Sequence, residues 1–141
     1  MKDNSRFVLA VHTLTLLARS ETPLSSNFIS SSAGVNAVTI RKVVGQLRDA
    51  GLVKTQTGVK GGTKIARNPA DISLKETFLA VRDEQFFGAY PKKVSEECPV
   101  GRCLKSTLTT LLDDAVQSMI TKMDGVSIAD VVDGVKAEIA A

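Results

Sequence analysis

The side chains best suited to chemistry in this 141-residue chain lie between Asn36 and Arg67, where basic and polar residues are interleaved with apolar ones. Arg41 and Lys42 are adjacent cations that can bind phosphate oxygens or donate to the acceptor groups of guanine. Residues that can hydrogen-bond to base edges or contact a thymine methyl group stand beside them: Val38, Thr39 and Gln46. These residue types predict a surface that contacts double-stranded DNA.

A helix must position these side chains, and its apolar residues recur at the spacing i, i+3, i+4, i+7. The stripe consists of Ile40, Val43, Val44 and Leu47. Asn36 can cap this helix, and Ser25 can cap a shorter one that runs through Ser32 with Phe28 and Ile29 inward. Gly34 turns the chain between them, so the pair predicts a helix-turn-helix whose second helix enters the major groove.

Gly45 lies on the outward side of that second helix. A glycine inside a helix costs about 1 kcal/mol of stability relative to alanine. Its position on the outward face indicates that DNA approaches the helix closely there. The alternative interpretation of this face is a surface that is simply solvated.

A hairpin is predicted after this helix, with strands at Leu52–Gln56 and Thr63–Arg67 and a loop at Gly58–Gly62. Lysines on the loop and strands supply charge for phosphates, and the glycines allow close backbone approach. A nucleotide-binding loop is a poor alternative, because no Gly-Lys-Ser/Thr sequence leads into a helix. The predicted DNA contacts are Asn36, Val38, Thr39, Arg41, Lys42, Gln46, Lys60, Gly61, Gly62 and Lys64.

Charge is distributed unevenly along the chain. Residues 1–67 hold ten Lys/Arg and three Asp/Glu, whereas residues 68–141 hold eight and twelve, within a net charge of +3. A basic half joined to an acidic half is expected when only the first half meets a polyanion. An uneven but merely solvated surface is the alternative.

Composition excludes several classes of protein. The 43% apolar and 23% charged residues are typical of a globular chain and argue against disorder. The sequence has neither an apolar run of about 18 residues nor a signal-peptide pattern, so a cytoplasmic protein is expected. His12 is the one histidine, and no nucleophile motif or metal-ligand cluster is apparent, so we expect no enzymatic activity.

The remaining chain predicts more helices, including one over Ser5–Arg19 and one that Ser73–Glu76 starts as a capping box. We predict a mainly α fold with a small β-hairpin wing: a winged helix-turn-helix domain (1–83), an aperiodic linker (84–102) and dimerisation helices (103–141). The long helix Cys103–Met123 has more apolar surface than a lone helix can bury, which predicts a homodimer. The predicted dimer contacts are Leu104, Leu108, Leu111, Leu112, Ala115, Met119 and Met123.

The aperiodic segment and the first residue of the long helix contain the candidate sensing residues. They are Phe86, Phe87, Tyr90, Cys98 and Cys103. The two cysteines fit a thiol or disulfide switch, two ligands of an iron–sulfur cluster, or ordinary packing. Because such a cluster needs four ligands, we expect no cofactor in this chain.

Several short stretches together resemble the Rrf-two family of winged-helix transcription regulators, and most closely its YwnA-type subgroup. They are Asn4-Ser5-Arg6, Ala10-Val11-His12, Leu47–Leu52, the wing Gly58–Gly62, Ala70–Leu74 and Cys98-Pro99-Val100-Gly101. The family includes bacterial iron–sulfur, nitric-oxide and cysteine-metabolism repressors. The resemblance implies a dimeric DNA-binding regulator, with the third helix in the major groove, the wing in the minor groove and the long helix pairing subunits.

The chain departs from that family at two places. Thr57 and Thr63 stand where many relatives have an arginine before the wing glycines and an aromatic residue after them, so minor-groove contact falls to Lys60 or Lys64. Cluster-binding relatives have three cysteines before the long helix, and this chain has two.

The sequence thus predicts a specific DNA-binding regulator, most simply a repressor that responds to an effector or a thiol change. A winged-helix protein-interaction module without specific DNA binding is the alternative.

Overall fold

The structure is a computed structural model that describes residues 3–83, 86–88 and 90–141, with only the backbone described for Asp3 and Asn4. Within these residues the fold is helical apart from one antiparallel hairpin, which confirms the predicted fold class. The elements are α1 (Asp3–Ala18), α2 (Ser26–Ala33), α3 (Ala37–Asp49), β1 (Val53–Gln56), β2 (Gly62–Ile65), a 3-10 turn (Pro69–Asp71), α4 (Leu74–Val81), α5 (Pro99–Asp124) and α6 (Ile128–Ala140).

The core is built around α1, which packs against α2, α3, α4 and α6. Its buried aliphatic side chains meet the apolar stripe of α3 and two residues of α6. The residues that these three helices contribute are Leu9, Ala10, Leu14, Leu17, Ile40, Val43, Val44, Leu47, Ile128 and Val132. Burying a side chain of this kind contributes about 1.5–3 kcal/mol, so α3 is held with its apolar stripe inward.

Side-chain caps set the helix starts, at Ser25, Asn36 and Ser73 as the sequence predicted and also at Ser127. Each of these four side chains accepts a hydrogen bond from a backbone N–H of the first turn. Such caps contribute about 1 kcal/mol each. The reciprocal capping box is present at Ser127, where Asp130 accepts from the cap backbone N–H at 2.9 Å.

Two local predictions were wrong. Ile29 is buried as predicted, but Phe28 is 54% exposed, because neighbouring helical positions point about 100° apart. Ser73 caps α4 alone, since the Glu76 carboxylate instead accepts from Arg67 at 2.6 Å. That bond ties the chain after β2 to α4.

The long helix α5 begins at Pro99, four residues before the predicted start. Proline is favourable there because the first helical N–H has no partner within the helix. Glu84, where the predicted linker starts, lies outside the described residues, and the three-part division of the chain stays a prediction. None of the helices in the described part of the chain combines the length and apolarity that crossing a membrane requires.

The hairpin forms the predicted wing, and its register brings two lysines together. Val53 pairs with Ile65 and Thr55 with Thr63, which places Lys54 directly opposite Lys64. Both lysines are exposed. Like charges directly opposite each other destabilise a strand pair.

We therefore expect Lys54→Glu to stabilise the protein by about 0.2–1 kcal/mol at low salt, since it replaces a repulsive cross-strand pair with an attractive one. Urea unfolding measures the change. Lys60→Glu is the matched control, because Lys60 lies in the wing loop outside the paired strands. Equal stability changes in the two variants would contradict this account of the wing.

Candidate nucleic-acid interface

The turn between α2 and α3 is held by backbone geometry and one side chain. Gly34 has a left-handed φ of 70°, and its N–H donates to the Ser30 carbonyl at 2.9 Å. Asn36 Oδ1 accepts from the Val38 N–H at 2.7 Å. The Asn36 side-chain oxygen is therefore engaged as a cap, so this predicted DNA contact retains only its amide N–H groups for other partners.

The outward face of α3 carries the predicted cations. The four stripe residues are all buried, whereas Arg41 and Lys42 are exposed and Val38 is 52% exposed. In the part of the chain that the structure describes, no carboxylate forms an ion pair with Arg41 or Lys42. Both charges are thus available to an external anion.

The flank of this face is less open. Thr39, Gly45 and Gln46 are half-buried. The Gln46 Oε1 atom is buried and has no hydrogen-bond partner among the described residues, which is uncommon for a buried polar atom. Its carbonyl oxygen is withdrawn from the outward face, so contact with a base would use the amide N–H group.

The wing loop presents charge at its tip and close packing at its base. Lys60 and Lys64 are exposed. A Cβ on Gly61 would lie 2.4 Å from the Gln56 carbonyl oxygen, and one on Gly62 would lie 2.7 Å from that of Leu24. The glycines are therefore required by contacts within the protein, in addition to any approach to phosphate.

A short bridge fixes the wing to the chain before α2. Leu24 N–H donates to the Thr63 carbonyl at 2.9 Å, and Thr63 N–H donates to the Leu24 carbonyl at 2.8 Å. Arg67 lies beyond the end of β2 and donates to Glu76, so it is directed towards α4. The sequence prediction had placed Arg67 on the second strand.

Lys54 and Val59 are exposed residues of the wing that were not among the predicted contacts. The sequence indicated Lys54 as one of the strand lysines, but its place opposite Lys64 follows from the strand register, which single-strand patterns do not reveal. Val59 is fully exposed beside Lys60. Its position between Gly58 and Gly61 indicates a loop tip in the sequence. That its side chain is exposed is seen only in the folded loop.

The candidate sensing residues separate into two places. Phe86, Phe87 and Tyr90 line a cavity against α5, and neither cysteine belongs to its wall. Cys98 and Cys103 are exposed thiols at the start of α5. His12 is apart from both, with its Nε2 atom 2.9 Å from Ser32 Oγ, a contact that joins α1 to α2.

The two cysteines could supply two ligands of an iron–sulfur cluster. A cluster needs four ligands, and the sequence contains two cysteines. Among the described residues, no group of three His, Cys, Asp or Glu side chains is arranged to hold a metal ion.

The predicted dimer residues lie along one side of α5 with graded exposure. Leu104 is 41% and Leu111 is 63% exposed, and Ala115 is also exposed. Four others are half-buried: Leu108, Leu112, Met119 and Met123. Ile120 is the buried residue of this helix, so the N-terminal part of α5 has the more open apolar surface.

Comparison with known proteins agrees with this arrangement. A family described as Rrf2, iron-dependent transcriptional regulators, matches residues 3–134. YwnA of Bacillus subtilis, provisionally named an HTH-type transcriptional regulator, is 30% identical over 128 residues, which are 91% of this chain and 95% of YwnA.

Solved structures share the fold. T. potens IscR has a TM-score of 0.70 at 21% identity, over 96% of this chain and 88% of that one. CymR of B. subtilis, described as the global cysteine regulator, has a TM-score of 0.63 at 22% identity, over 94% of this chain and 97% of CymR. The family match over residues 3–134 and the similarity to YwnA establish that the chain is a DNA-binding transcriptional regulator of the Rrf2 family.

Proposed function

We propose that the chain is a cytoplasmic repressor that binds a palindromic operator as a homodimer. The observation that carries this proposal is the outward face of α3, where Arg41 and Lys42 are exposed opposite a fully buried stripe. Two such helices related by a two-fold axis would contact half-sites about one turn of DNA apart. Specificity for a palindrome follows from that symmetry.

The contacts divide between α3 and the wing. Val38, Thr39, Arg41, Lys42 and Gln46 contact base edges and neighbouring phosphates in the major groove. Lys60 and Lys64 contact the phosphate backbone near the minor groove, assisted by the amide groups around Gly61 and Gly62. Lys54 joins this phosphate clamp, because an anion between the strands relieves its repulsion with Lys64.

Subunit pairing uses the open apolar side of α5. Leu104, Leu111 and Ala115 are exposed on one side of the helix, and apolar surface of that kind is buried most simply by a second copy. Pairing sets the distance between the two α3 helices. We further propose that the dimer responds to a ligand near Phe86, Phe87 and Tyr90 or to a thiol change at Cys98 and Cys103, without a bound cofactor.

Arg41→Ala/Lys42→Ala should weaken binding to a selected operator by about 1–3 kcal/mol or more and reduce the salt dependence of binding. The matched control is Lys122→Ala/Lys136→Ala, which removes the same charge from exposed positions on α5 and α6. Fluorescence anisotropy over a salt series measures both. Retained sequence preference in the α3 variant would refute its role as recognition helix, and equal affinity of the wild type for all sequences would favour the protein-interaction alternative.

Gly45→Ala should have opposite effects on stability and DNA binding. A Cβ at Gly45 would be 3.8 Å from the nearest atom, Arg48 Nη2, so alanine fits and should stabilise α3 by about 1 kcal/mol. The added methyl group should weaken operator binding by obstructing close approach. Gly134→Ala in α6 is the control, because that position is open and should gain stability with unchanged operator affinity. Unchanged DNA binding by Gly45→Ala would contradict close approach.

A thiol switch has a geometric consequence at α5. Cys98 occupies the N-cap position of α5 without a side-chain cap hydrogen bond, and Cys103 is five positions later. Their Cα atoms are therefore about 7.5 Å apart along the helix axis. A disulfide requires a Cα separation below about 7 Å, so pairing within one chain would unwind the first turn of α5.

Oxidation should therefore lower the operator affinity of the wild type and leave Cys98→Ser/Cys103→Ser unchanged. Binding assays in oxidising and reducing buffer test this, with circular dichroism and non-reducing electrophoresis reporting lost helix or linked subunits. Identical operator binding by both proteins in both buffers would eliminate the redox mechanism while leaving the DNA-binding proposal intact.

A further inference from the structure

A cavity of about 710 Å³ lies between residues 82–83, 86–88 and 90–92 and one side of α5. Its size falls within the roughly 300–1,000 Å³ usual for small-molecule sites. Aromatic residues form one wall and aliphatic residues the other. These six residues are Phe86, Phe87, Tyr90, Leu108, Leu112 and Val116.

Among the described residues that line the cavity, cations outnumber anions. Arg82, Lys92 and Lys105 line it together with Asp83 and Asp113. The Asp83 carboxylate is already paired with Arg6 of α1, so it does not balance the cavity cations by itself. Apolar walls with an excess of positive charge favour a ligand that has an apolar body and a negative group.

We propose that this cavity binds a small organic carboxylate with an apolar, ring-sized body, and that this compound is the effector of the repressor. Binding is a property of the cavity alone, whereas the effector role rests on the proposed function. Lys105 and Lys92 bind the carboxylate, and the aromatic wall contacts the body. Tyr90 can donate a further hydrogen bond through its hydroxyl group.

A series of aromatic contacts joins the cavity to the DNA-binding half. The ring of Phe86 is 4.8 Å from that of Phe87 and 5.9 Å from that of Phe78 on α4. Phe78 in turn contacts Phe7 of α1 at 5.6 Å, and Arg82 lies over the Phe78 ring at 5.8 Å. Because α1 packs directly on α3, a ligand that moves Phe86 acts on the support of the recognition helix.

The cavity and the proposed pairing surface are neighbouring parts of α5. Leu104 and Leu111 are exposed and lie outside the cavity wall, whereas Leu108 and Leu112 are half-buried and line it. We expect a second copy that covers Leu104 and Leu111 to leave Leu108 and Leu112 facing Phe86, Phe87 and Tyr90. A ligand there is therefore positioned to alter both subunit pairing and the α1 contact.

The test uses the full-length wild-type chain and two probes of equal shape, 3-phenylpropionate and its uncharged amide 3-phenylpropanamide. Tyr90 is the only tyrosine and the chain has no tryptophan, so tyrosine fluorescence reports from the cavity wall. Calorimetry provides the affinity independently. The anion should bind about tenfold more tightly than the amide, as expected for one charge-assisted hydrogen bond.

Lys92→Gln/Lys105→Gln should abolish that preference while the amide binds as before, since both lysines are exposed and their loss leaves the apolar walls intact. Lys93→Gln/Lys122→Gln removes two exposed charges outside the cavity wall and should keep the preference. Phe87→Ala should weaken both probes equally. The proposal would be overturned if neither probe bound, if the wild type bound both equally, or if the control variant lost the preference. Binding to monomers but not to dimers would also overturn it, because the partner subunit would then fill the cavity.

Operator affinity measured with and without the anion separates this inference from the proposed function. Wild type that binds the operator but neither probe refutes the cavity proposal alone. Wild type that binds the anion but no DNA sequence refutes the repressor proposal alone. The effector role is supported if the anion changes the operator affinity of the wild type but not that of Lys92→Gln/Lys105→Gln. It is refuted if the anion leaves the operator affinity of both proteins unchanged.

Discussion

Burial of the α3 apolar stripe against α1 is the constraint on which the rest of this molecule depends. Ile40, Val43 and Leu47 have no exposed surface, and Leu14 of α1 is equally buried. Turning α3 about its axis would expose these side chains at a cost of several kcal/mol. The orientation of Arg41 and Lys42 towards solvent is therefore a consequence of core packing, and the surface that we propose for DNA contact is supported from behind by buried side chains.

The wing is held by a second constraint, the backbone bridge between Leu24 and Thr63. This contact leaves no room for a side chain at Gly62, which explains the glycine without reference to DNA. Thr63 occupies the position where many relatives have an aromatic residue, and it is buried against the body of the domain. In the complex that we propose, the exposed lysines of the wing contact phosphates, and a bound polyanion relieves the repulsion between Lys54 and Lys64.

The acidic half serves both pairing and sensing in our proposals. α5 exposes apolar residues on one side and lines a cationic, aromatic cavity on the adjacent side, while α6 returns to pack on α1. The core of the DNA-binding half thus includes residues near the C-terminus, such as Ile128 and Val132. The proposed ligand, the proposed second subunit and α3 each contact neighbouring parts of one packed group of helices. That proximity is the physical basis for the regulation that we propose.

Local signals in the sequence determined the helix-turn-helix, the wing and the outward set of α3 residues, because caps, apolar spacing and turn glycines act over a few residues. They also determined that the chain has two cysteines. Tertiary structure alone decided that Arg67 pairs with Glu76 and that the side-chain oxygen of Gln46 is buried without a partner among the described residues. It also placed the aromatic residues apart from the cysteines and Lys54 opposite Lys64. These contacts join residues that are distant in sequence. They depend on strand register and on packing of the whole core, and no local sequence pattern encodes either.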